Sequence, residues 1–203
     1  MIKKIIIGSL LINFIHSPAQ KYSYGLQGGF DLANLQMTNK PASAKGFTTF
    51  HPLATFNVNG YFGYRFSRFV GISAEPGFIR KGGTQDVHFR FLLNYIQLPV
   101  LADIFFTEKL FLSVGPEFSY LINARGKSKT ASNDITSLYD NRYELSGLIG
   151  LNYHITKNID AGLRYDHGFT YISKIIWTNE YNQPVGESKQ YNQYFQLFVR
   201  IRR

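Results

Sequence analysis

An all-β fold is what this sequence predicts: an eight-stranded antiparallel up-and-down transmembrane β-barrel of the outer-membrane type. Three observations carry that expectation. Apolar and polar residues alternate with a period of two along eight stretches, short turns alternate with long segments between them, and the composition suits strands. The chain holds 18 Phe, 14 Tyr and 18 Gly but 2 Met and 1 Trp. Aromatic residues fit a pleated, half-buried surface, whereas helices draw on Ala, Leu, Met, Glu and Lys. The mean hydropathy is slightly negative, which points away from apolar membrane helices. Membrane strands tolerate such a value because they alternate.

The first 19 residues read as a secretory leader. Lys3 and Lys4 precede an apolar run over residues 5–15, and Ser17 and Ala19 supply a small-x-small cleavage pattern. The run is too short to span a bilayer as a helix. We therefore expect residues 1–19 to be a cleaved signal peptide, with Gln20 the first residue of a barrel domain over 20–203.

The expected strands cover residues 22–32, 55–66, 69–80, 89–106, 110–122, 144–155, 159–171 and 195–202. The last is the clearest. Phe195, Leu197, Val199 and Ile201 fall on one face, and Gln196, Phe198, Arg200 and Arg202 on the other. Between strands, the turns at 67–68, 107–109 and 156–158 are very short, whereas 33–54, 81–88, 123–142 and 173–190 are long. That rhythm matches short periplasmic turns and long outer loops. It leaves both ends of the barrel domain on the periplasmic side. Tyr22, Tyr24, Tyr64, Tyr153 and Tyr165 near strand ends suit an interfacial girdle.

Pro76, Pro99 and Pro116 fall inside these strands. A closed barrel has no free edge to accept proline, so each marks a bulge or bend. In the fourth strand Asn94 and Gln97 share a face only if the register slips.

The less apolar face carries Arg65, Glu75, Glu117, Glu144, Asp160, Arg164 and Arg200 among small residues such as Gly71, Ser73, Gly150 and Gly162. Buried charges must be paired. The expected arrangement is a structural network in which the glutamates meet arginines across a narrow lumen. A barrel of about eight strands is then filled by side chains and is no pore. The opposite alternation, apolar inside, would describe a soluble periplasmic barrel with a ligand cavity.

The formal net charge is +9, two units of it from Lys3 and Lys4. Export excludes nucleic acid as a partner and leaves outer-membrane lipid and lipopolysaccharide phosphate. Arg125, Lys127 and Lys129 in one outer loop and Trp177 in another are the expected surface-binding residues. The chain has no cysteine, which excludes disulfides, thiolate metal sites and lipid attachment through cysteine.

The stretch Tyr95-Ile96-Gln97-Leu98-Pro99-Val100-Leu101 resembles the Tyr-x-Glu-Ile-Pro-Leu-Leu run of the PorT-like outer-membrane β-barrel family of Bacteroidota. Gly28-Gly29-Phe30, residues 71–78, Lys81-Gly82-Gly83, residues 115–121 and Leu163-Arg164-Tyr165 continue the likeness along nearly all of residues 20–203. Gln97 departs from the commoner Glu, and Arg202-Arg203 stand where a terminal aromatic is usual. The resemblance implies an outer-membrane barrel. It implies no single activity, although the namesake takes part in secretion, so secretion-machinery proteins are among the implied partners.

For chemistry, Arg164-Tyr165-Asp166-His167 resembles the Arg-Tyr-x-His stretch of lipid A deacylase barrels, whose nucleophilic Ser follows the His by two residues. Phe169 occupies that position here and Thr170 lies on the other face. A triad needs its nucleophile, so no catalytic residue is assigned. A lipid-modifying hydrolase is the alternative. His51, His88, His154 and His167 form no ligand-spaced pair, and no metal or cofactor is expected.

Overall fold

A computed structural model describes residues 22–39, 49–85 and 89–203. The expected leader and His88 lie outside the described residues. Eleven strands run in chain order: β1 Tyr22–Met37, β2 Leu53–Arg65, β3 Val70–Ala74, β4 Gly77–Gln85, β5 Phe89–Phe105, β6 Leu110–Lys127, β7 Ser132–Asp134, β8 Tyr143–His154, β9 Ile159–Gly168, β10 Ser173–Thr178 and β11 Pro184–Arg202. β3 and β4 form one wall position interrupted at Glu75 and Pro76. Among the described residues β7 pairs only with β6 and β10 only with β11, so both extend hairpins beyond the wall.

What remains is an eight-stranded antiparallel barrel, closed where β1 pairs with β11 from Gly25↔Arg202 to Met37↔Gln190. The register can be followed around it. A ring leaving β8 at Tyr143 passes Tyr120, Ile96, Phe78, Val58, Gly28, Val199 and Ala161 and returns to β8 at Tyr153, ten residues further along. That shear requires strands tilted by roughly 40°.

Alternation puts the apolar residues outside. Leu26, Leu197 and Ile201 are 68%, 60% and 65% exposed, and Phe30, Val58, Phe118, Ile149 and Leu163 share that face. This is the sense lipid contact demands and the reverse of a soluble barrel. Aromatic pairs mark its edges: Tyr22 and Tyr64 meet at 4.8 Å at the short-turn end, and Tyr120 and Tyr143 at 5.1 Å toward the loops. Tyr143 and Tyr153 on β8 are separated along the axis by about 25 Å, the height of a bilayer's apolar band. Tyr24 and Tyr153 join the short-turn girdle. Tyr165 does not; it packs on Phe195 at 4.8 Å within the wall.

The prolines are accommodated in different ways. Pro76 breaks the strand, and its carbonyl accepts from Gly60 N while Glu75 N donates to Pro99 O. Pro99 pairs within β5·β6, but the ladder skips Val100 and Leu101 opposite Pro116. The register slip lies in β6, not in the fourth expected strand: Asn94 opposes Asn123 and Tyr95 opposes Leu121, leaving Ile122 as the extra residue. Gln97 therefore faces inward and Asn94 outward.

Several strands run past their expected ends. β4 continues to Gln85, β6 to Lys127, and β11 begins at Pro184. Beyond the bilayer a hairpin satisfies its backbone by pairing with itself, so neither face needs to be apolar and the alternation fades. The segment 81–88, expected as a loop, is strand as far as Gln85.

Candidate functional site

The lumen is built in storeys from inward-facing residues of all eight walls. In the storey toward the short turns, Glu75 is fully buried. Arg164 donates to it through Nη1 at 2.5 Å and Nη2 at 2.7 Å, Arg200 through Nη2 at 2.6 Å. Arg200 also donates to Gln27 Oε1 at 2.9 Å and lies 3.8 Å over the Tyr61 ring. Arg164 covers Phe198 at 4.2 Å. Glycine makes room for these guanidiniums, since a Cβ at Gly150 would lie 2.4 Å from Arg164 Cγ.

The next storey centres on Lys81, whose ammonium donates to Glu117 at 2.8 Å and Glu144 at 3.0 Å. The Tyr194 hydroxyl donates to Glu117 and Asn192 to Glu144, both at 2.6 Å. Asp31 accepts from Asn57 and Gln196, and Asp166 from Ser146. Above this, Ala33, Leu35, Ile79, Leu93, Leu121 and Ala124 meet Tyr139 and Ile172 from the loops in an apolar cap. Phe50, Phe91 and Ile135 pack against it.

The arrangement corrects the expected network in three ways. Glu117 and Glu144 pair with Lys81 rather than with arginines. Among the described residues Arg65 joins no carboxylate; it sits at the short-turn mouth, donating to the Ser67 and Arg68 carbonyls and lying 3.8 Å over Phe105. The charge count is also uneven. Asp31, Glu75, Asp103, Glu117, Glu144, Asp160 and Asp166 are buried, against Lys81, Arg164 and Arg200. Neutral amides and hydroxyls meet the surplus, as Ser113 does for Asp103 and Ser146 for one oxygen of Asp166, so the positive charge of the described residues lies on loops and rims. Asp160 is shared by Arg200, Arg202 and His154 near the mouth.

Asp31, Asp103 and Asp166 were legible, because each has the inward parity of its strand. Lys81 was not, since it lies past the expected end of its strand.

The residues of the hydrolase-like stretch separate by parity. Arg164 and Asp166 point inward, whereas His167 points outward, with Nδ1 3.3 Å from the Tyr165 hydroxyl and its ring beside Phe169. Arg125 and Lys127 lie on the outer reach of β6, opposite Asp134 and Ser132 of β7. Lys129 sits in the turn between those strands. Trp177 is on the other hairpin, where its indole N–H donates to Ser188 Oγ at 2.7 Å. No strand pairing joins the two hairpins. Among the described residues no three His, Asp or Glu gather as a metal ion would need.

The sequence matches the model of the outer membrane protein beta-barrel domain over residues 18–174. The fold is similar to that of Ail, the attachment invasion locus protein of Yersinia pestis, with a TM-score of 0.51 and 12% identity, covering 91% of this chain and 100% of that one. It is similar also to Neisserial surface protein A, with a TM-score of 0.52 and 15% identity over 88% of this chain and 96% of that one. At such identities the likeness is one of fold alone. No curated protein matches the chain.

Proposed function

This chain belongs to the family of outer-membrane protein β-barrel domains, and we propose that it serves as a non-enzymatic envelope component whose lumen passes no solute. The filled interior carries the reading. The Glu75 cluster, the Lys81 cluster and the apolar cap follow one another along the axis, so the described residues leave no aqueous path through the barrel. An outward His167 with Phe169 two residues on supports no acyl-transfer site.

In this reading residues 1–19 are removed on export. The domain belongs to the PorT-like group of Bacteroidota that its sequence resembles. It acts as a structural or binding element, or as a subunit of a secretion or transport assembly. Its outer hairpins, with Arg125, Lys127, Lys129 and Trp177, meet lipopolysaccharide. Protein purified from outer membranes should migrate differently when boiled and unboiled, and its N-terminal sequence should begin at Gln20. In planar bilayers it should give no stepwise conductance. Recovery in the soluble periplasm, or discrete channel openings, would overturn the proposal.

A further inference from the structure

Below the Glu75 storey the lumen widens into a cavity of about 580 Å³ that opens at the short-turn end. On the family's topology that end faces the periplasm. The volume is in the range of small-molecule sites. From this mouth, we infer, the cavity takes up a small organic anion with a flat apolar body.

Its wall is a preformed stack. The Arg65 guanidinium lies 3.8 Å over the Phe105 ring, Phe105 stacks on Phe111 at 4.9 Å, and Phe111 meets His154 at 4.8 Å. The His154 ring is held by Asp160 at 2.7 Å, and Asp160 accepts from Arg202 Nε at 3.0 Å. Carbonyls of the turn fix Arg65 Nε and Nη2, at 3.1 and 2.7 Å. Arg65 is thus positioned without a carboxylate partner among the described residues. That is the condition in which a guanidinium still has a full charge to offer a ligand.

Charge around the cavity favours an anion. Arg65, Lys109 and Lys157 line it against Asp103 and Glu108, while Asp103 is engaged by Ser113 at 2.5 Å and Arg202 by Asp160 at 3.0 Å. Tyr61, Phe105 and Phe111 supply apolar surface beside the cations, which suits a flat body attached to a carboxylate. The ligand enters from the periplasm alone, because the Arg164–Glu75–Arg200 cluster closes the way above.

The test is a fluorine NMR titration of the detergent-solubilised mature protein with 4-fluorobenzoate and its neutral analogue 4-fluorobenzamide. Saturable broadening of the benzoate is expected, with the amide bound about tenfold more weakly, as loss of a charge-assisted contact implies. Arg65→Gln should weaken benzoate binding by about tenfold. Lys109→Gln/Lys157→Gln, on exposed turns, should also weaken it and covers the case in which Arg65→Gln fails to fold. Lys174→Gln on the outer hairpin should change nothing. Equal binding of acid and amide, unsaturable partition into micelles, or unchanged affinity in the folded mouth variants would overturn the inference.

Discussion

Glu75 holds two guanidiniums in a space from which water is excluded, and each of its oxygens accepts from arginine. Glu75→Gln leaves Arg164 and Arg200 facing a neutral amide. Breaking a buried pair by removing one partner costs about 3–5 kcal/mol, so the folded band on unboiled gels should disappear at markedly lower urea. An unchanged midpoint would mean that the pair contributes little. Lys81 is the mirror case, one ammonium between two carboxylates. Lys81→Met alone should destabilise by a similar amount, whereas Lys81→Met/Glu117→Gln/Glu144→Gln should recover most of the loss. Replacing a whole buried cluster by neutral groups is often nearly neutral where breaking it is not. The same gel assay separates the two outcomes.

Strands impose their own limits. Gly82 in β4 has φ +135°, and a Cβ there would lie 1.9 Å from the Phe91 carbonyl oxygen. Gly82→Ala must either strain the backbone or part β4 from β5, a cost of about 1–3 kcal/mol. Gly28 on β1 faces open space, and Gly28→Ala should leave the urea midpoint in place. The outer face is judged by depth. Leu197 lies near mid-height of the apolar band and is 60% exposed to its surroundings. Leu197→Arg should cost about 2–4 kcal/mol, whereas Tyr24→Arg at the aromatic rim should cost about 0–1 kcal/mol. Equal effects at the two depths would show that the apolar band is misplaced on the wall.

The barrel as a whole is closed twice over, by hydrogen-bonded walls around the axis and by packed side chains along it. The cap depends on loop residues, since Ile172 reaches it from the segment before β10, anchored by its N–H to the Gln190 carbonyl at 2.8 Å. Ile172→Ala should therefore lower stability by about 2–5 kcal/mol through the cavity it leaves. Conductance in bilayers should stay at zero, because Tyr95, Tyr194 and the Lys81 cluster still fill the lumen beneath. Channel openings in this variant would place the seal in the cap alone.

The eight wall strands, the short-turn rhythm and the inward Glu75, Glu117, Glu144 and Asp160 were readable from the chain, whereas β7 and β10 lie in segments expected as loops. Alternation is a property of neighbouring residues, and a side chain two positions on must share its face. Which inward residues meet was a different matter. Glu75 finds Arg164 across 89 positions only because eight registers add to a shear of ten residues and bring both to one height. Lys81 entered the lumen because β4 continued past the bilayer, where its apolar signal had ended. Arg65 left the network because its strand ends at the mouth. Local chemistry determined the faces; the sum of the registers, which no single stretch contains, decided the contacts.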